Sequence, residues 1–125
     1  MTHPMRATLV FLLLALLPAS AQAAAWSEAD PESMVTLSYD TVPVHEYLRE
    51  QVSDVAIHSW DLARAVGADE TLDEELVAAV WTVFEPQRDT LAASGLYAAP
   101  VPLPEDAPLQ WKLLALTGRD PALIA

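Results

Sequence analysis

Within the stretch DVAIHSWDLARAVGAD, Asp54 and His58 stand four residues apart, and Asp61 follows three later. On a helix this spacing puts all three on one side, one turn after another. At 100° per residue, Gln51, Asp54, His58 and Asp61 share a polar arc. A carboxylate and an imidazole at i and i+4 are ligand types suited to zinc, iron or nickel. Asp61 is placed to orient His58 by a hydrogen bond. The spacing admits a second reading, in which the same arc is the solvated side of a packed helix. His45 lies thirteen residues before His58, roughly 20 Å along a helix axis. It cannot complete a site with His58 in the same helix and reads as a surface residue near the helix start. A tight zinc site usually takes three protein ligands, and this segment offers two.

Other chemistry is weakly signalled. Ser53, Ser59 and Ser94 have no base arranged around them, so a nucleophilic triad is not indicated. Glu74 and Glu75 suit the positive end of a helix. Trp60, Trp81 and Trp111 read as core anchors. The chain has no cysteine, which removes thiolate metal sites, disulfides and cysteine nucleophiles. It has no glycine-rich phosphate loop. Six basic against eighteen acidic residues give a formal charge of −12, which repels phosphate backbones and argues against nucleic-acid binding. A hydrophobic content of 53% separates the chain from a disordered acidic tail.

These residues need elements to hold them. Thr41-Val-Pro opens a long helix of about residues 42–66, with proline in its first turn and Gly67 as its stop. Leu48, Val52, Val55, Ser59, Leu62 and Val66 form its expected buried stripe. A second helix of about 72–93 is expected to be capped by Thr71, with Glu74 completing a capping box, and to kink or break at Pro86. Its stripe is Leu72, Leu76, Val80 and Val83. AAPVPLPEDAP reads as an extended proline-rich connection. A short helix of about 107–117 follows, capped by Asp106 and closed by Gly118. Ahead of these, Ala25 to Glu32 reads as irregular. Val35 to Tyr39 reads as one extended segment that would need a partner strand. The fold class expected is all-α, an incomplete helical bundle occupying 25–125.

Residues 1–24 are distinct. A positively charged start, the apolar run ATLVFLLLALL and two small-x-small sites make a secretory signal pattern, too short for a stable membrane span. If this signal is genuine the protein is exported; if the start is mispredicted it is cytoplasmic. Removal would leave five basic and eighteen acidic residues, a charge of −13. Two and a half amphipathic helices make a poor core, so self-association or a helical partner covering the apolar faces is expected.

The segments HSWDLARAVGADETLDEELV and LLALTGRDP, with TVPVHEYL and LDEELVAAVWTVFEPQR, resemble the actinobacterial branch of the mycothiol-dependent maleylpyruvate isomerase family. That family belongs to the DinB-like superfamily of metal-binding four-helix bundles. The resemblance runs from about Trp26 to Pro121. It implies a divalent metal, usually zinc, held by a histidine from the first half and by an acid and a histidine four residues later. Asp54 and His58 match the latter pair, with aspartate where the isomerase has glutamate. It also implies mycothiol as a thiol co-substrate. The family's first two helices and their histidine have no counterpart, so the chain resembles the C-terminal half alone: a truncated gene, a shifted reading frame or a genuine half-length relative. The expectation is a metal-binding member without independent catalysis; the alternatives are a thiol-dependent isomerase or transferase active only when a partner chain completes the metal site, and an exported acidic interaction module. Asp40 stands where the branch often has a turn glycine.

Overall fold

Alternating Val and Thr residues favour extended backbone, and two such runs pair near the start of the described chain. The computed structural model describes residues 19–123. Helix α1, Ala19–Glu28, is followed by strands β1, Met34–Thr36, and β2, Thr41–Pro43. The strands pair antiparallel, with Val35 opposite Val42 and Thr36 opposite Thr41. Asp40 closes the turn: its carbonyl accepts the Leu37 N–H at 2.7 Å, and its carboxylate accepts the Thr41 N–H at 2.7 Å. No residue other than glycine has positive φ among the described residues, so this turn takes aspartate without strain.

This region corrects three expectations. The described chain is mostly helical but carries a two-stranded sheet. Thr41-Val-Pro forms β2 instead of a first helical turn, because Val42 finds a cross-strand partner in Val35. Ala25 to Glu28 belongs to α1 instead of an irregular lead-in. The signal-like run lies largely outside the described residues.

Helix α2, Val44–Val66, then begins. Gly67, at φ +69°, stops it: the Ala68 N–H reaches back to the Ala63 carbonyl at 2.8 Å and the Gly67 N–H to Arg64 at 3.3 Å. Helix α3 is Glu74–Phe84. Its cap is Asp73, whose carboxylate accepts the Leu76 N–H, and not Thr71. Thr71 is already held in a turn by Asp69, and the next N–H, of Leu72, goes to the Gln110 side chain. Pro86 breaks the helix as expected. One 3-10 turn, Glu85–Gln87, leads into α4, Arg88–Ala93. Helix α5, Leu109–Leu116, starts after Pro108 without the expected Asp106 cap. Gly118, at φ +80°, follows it, and an added Cβ there would lie 2.6 Å from the Ala98 Cβ.

The chain divides into two compact units, Met1–Leu48 and Arg49–Ala125. In the first, Trp26 packs on Tyr47 with ring centroids 5.9 Å apart, and His45 Nδ1–H donates to the Pro31 carbonyl at 2.9 Å. The core of the second is Ala56, Ile57 and Trp60 from α2, Val77, Val80 and Phe84 from α3, and Leu113 and Leu114 from α5. Burying such side chains stabilises the unit by about 1.5–3 kcal/mol for each large one.

This core overturns the expected α2 stripe. Val55, Leu62 and Val66 are 64–67% exposed and Val52 is 40% exposed, while Ser53, Ala56, Ile57 and Trp60 are buried. Both faces are apolar, and α3 and α5 cover the one with the larger Ile57 and Trp60 rings and branches. On α3 the buried residues are Val77, Val80 and Phe84, with Leu76, Val83 and, just ahead of the helix, Leu72 packed half-buried around them. Trp60 is a core residue and Trp81 packs against the core, but Trp111 is exposed.

Candidate metal centre

Three faces run along the second half of α2. One is buried, one is apolar and exposed, and between them lies the arc that carries Asp54, His58 and Asp61. The structure brings these three together. His58 Nε2 lies 3.3 Å from Asp54 Oδ1, and His58 Nδ1 lies 3.0 Å from Asp61 Oδ2. The side chains of His58 and Asp54 are 60% and 46% exposed, so both reach solvent.

Asp61 is gripped from behind. Arg119, beyond the end of α5, donates from Nε to Asp61 Oδ1 at 3.0 Å and from Nη2 to Oδ2 at 2.7 Å. Its third nitrogen donates to the Thr117 carbonyl at 2.9 Å. The guanidinium sits 5.9 Å from the Tyr97 ring centroid, and Tyr97 meets Phe84 edge-on. Arg119 holds the Asp61 carboxyl below its ordinary range against the opposing effect of burial, and His58 adds to the lowering. The same hydrogen bond raises Arg119. Burial pushes the Tyr97 phenol up, and the charge of Asp54 pushes it further.

The order of partners decides what His58 can do. With Asp61 accepting from Nδ1–H, the Nε2 lone pair of a neutral imidazole lies on the Asp54 side. A lone pair and a carboxylate oxygen at this distance repel unless a cation lies between them. A proton on Nε2 is one such cation. A divalent metal is another: bonds of about 2.0–2.1 Å at the tetrahedral angle separate two ligand atoms by roughly 3.3–3.4 Å. Asp61 is committed to His58 and Arg119. Among the described residues no group of three or more His, Cys, Asp or Glu side chains is arranged to hold a metal ion.

The remaining candidates are placed elsewhere. His45 Nδ1 lies 3.5 Å from Glu32 in addition to its contact with Pro31. Ser59 and Ser94 donate to the carbonyls of Ala56 and Leu91, three residues back, and Ser53 is buried. Glu74 and Glu75 occupy the first turn of α3.

Sequence reasoning missed the two arginine clamps. Arg64 is the second: it pairs with Glu70 through Nε at 3.1 Å and Nη2 at 2.8 Å, and lies 4.2 Å over the Trp60 ring. It also donates to the carbonyls of Asp120 at 2.9 Å and Pro121 at 3.0 Å. The available signal was scarcity. In a chain with six basic residues, Arg64, Arg88 and Arg119 each hold a carboxylate. No helix of the described residues is long and apolar enough to cross a membrane. Comparison with family models, curated proteins and solved structures finds no match.

Proposed function

We propose that this chain is a divalent-metal-binding helical module, with zinc the favoured ion and Asp54 and His58 the ligands. The observation that carries the reading is the pair of atoms Asp54 Oδ1 and His58 Nε2, 3.3 Å apart and exposed, with Nδ1 of the same ring held by Asp61. That arrangement fixes the tautomer a metal ligand needs. The resemblance to mycothiol-dependent maleylpyruvate isomerases and their DinB-like relatives supports the same two residues. With two ligands per chain, the module binds metal without independent catalysis. Thiol chemistry with mycothiol belongs to an assembly in which further ligands complete the site.

Zinc titration by calorimetry on the purified chain tests the assignment. His58→Ala abolishes binding and His45→Ala leaves it unchanged. Parental zinc binding by His58→Ala would remove the site from α2 and leave the arc as a solvated helix surface.

A further inference from the structure

Val52, Val55, Ser59, Leu62 and Val66 step along α2 by three, four, three and four residues, the spacing of a seam between two helices. The seam is on the outside. Val55, Leu62 and Val66 are 65%, 64% and 67% exposed, and α2 buries Ser53, Ala56, Ile57 and Trp60 in its place. His58 lies on the flank of this seam, between Val55 and Leu62 on the helix surface, with Asp54 one turn before it.

We propose that a second copy of this chain packs antiparallel along the seam, and that the Asp54–His58 pairs of the two copies share one divalent cation on the two-fold axis. The inference rests on the metal reading above and extends it.

Two observations point to a second copy as the occupant, and two more say why the cation is needed to hold it. Tetrahedral zinc takes four ligands. One chain offers two, since Asp61 is tied to Arg119, and a two-fold axis doubles that number. The orientation follows from geometry. In an antiparallel pair the flank that carries His58 faces its own equivalent, whereas in a parallel pair it faces the opposite flank, here the side of Ala63. The antiparallel register that brings the two histidines together also sets Val52 opposite Leu62 and Val55 opposite Ser59 of the second copy. The area is the third argument. The seam exposes on the order of 400 Å² of side chain. Two seams together fall short of the roughly 1,200 Å² at which specific dimers become stable. The apolar contact alone therefore holds two copies weakly, and the shared cation supplies the remainder. Charge is the fourth: each chain carries −12, so two copies repel, and a dication between two aspartates offsets that repulsion where the helices meet.

Analytical ultracentrifugation of the purified chain with zinc or with a chelator, combined with zinc stoichiometry, tests this. The expected result is a weakly associating chain in chelator and a dimer holding one zinc per two chains when zinc is added. His58→Ala removes the zinc-induced dimer. Leu62→Lys leaves the circular dichroism spectrum unchanged, since that residue is exposed, and weakens both dimerisation and zinc affinity by at least about tenfold through a buried unpaired charge. A monomer binding one zinc per chain overturns the shared site while leaving the metal reading intact. Absence of zinc binding overturns both. A zinc-dependent dimer indifferent to both substitutions puts the interface elsewhere and overturns the proposal.

Discussion

Arg119 and Asp61 meet in a two-pronged ion pair, with nitrogen–oxygen distances of 3.0 and 2.7 Å, across 58 positions of sequence. The pair joins the segment after α5 to the polar arc of α2, and it holds the carboxylate that orients His58. Arg119→Ala is expected to destabilise the chain by about 1–3 kcal/mol, the range for hydrogen bonds to charged groups reduced by partial exposure. Urea unfolding measures it, and a midpoint equal to the parent's would mean that the clamp adds nothing.

The same pair sets an acid limb. The Asp61 carboxyl titrates lower in the folded chain than in the unfolded one. The folded state therefore binds fewer protons there. This contribution is fully present above the unfolded carboxylate range near pH 4 and disappears as pH falls through the folded value. Asp61→Asn flattens the acid slope of stability, and denaturation midpoints collected between pH 2 and 6 would show it.

Asp61→Asn also separates orientation from ligation. The amide no longer carries the charge that fixes Nδ1–H of His58, so zinc affinity falls by about 10- to 100-fold instead of vanishing. Binding in the parent weakens as pH drops, because a proton competes with the metal for Nε2. Calorimetry at two pH values reads both effects.

Two leucines report which surfaces are covered. Leu113 is fully buried and Leu62 is 64% exposed. Leu113→Ala is expected to cost about 2–5 kcal/mol, and Leu62→Ala within about 0.5 kcal/mol under chelating conditions. Equal effects would contradict the assignment of faces on α2.

Gly118 joins two demands at one position. Its φ is +80°, and a Cβ would stand 2.6 Å from the Ala98 Cβ and 2.7 Å from the Ala98 carbonyl oxygen. Gly118→Ala should destabilise by about 1–3 kcal/mol, from left-handed strain and overpacking together. Gly67→Ala meets no neighbour within 4 Å and carries the conformational part alone, so the difference between the two variants isolates the clash.

Much of this structure was legible because local signals were strong. Gly67 and Gly118 ended helices where expected, and Pro86 broke the second helix through its missing N–H. The convergence of Asp54, His58 and Asp61 followed from helical spacing alone. The buried face of α2 did not follow. Its circumference holds two apolar stripes of comparable strength, and periodicity ranks stripes without knowing which one α3 and α5 will meet. Thr71 failed as a cap for a similar reason: Asp69 and Gln110, one near and one 38 positions beyond Leu72, had already taken the neighbouring N–H groups. Strand pairing between Val35 and Val42 is likewise a property of two segments together. Arg119 on Asp61 is the extreme case, since no local pattern ties residues so far apart.

Arg64 holds the segment after α5 by the carbonyls of Asp120 and Pro121. Those acceptors belong to the main chain and are present whatever side chain position 120 carries. The grip therefore reads the path of the chain and not its spelling. At position 120 the side chain serves only the local turn, where its carboxylate accepts the Ala122 N–H at 3.0 Å, whereas a change at Arg64 removes both carbonyl contacts at once. Two letters on α2 thus hold this segment, Arg64 by its main chain and Asp61 by the side chain of Arg119.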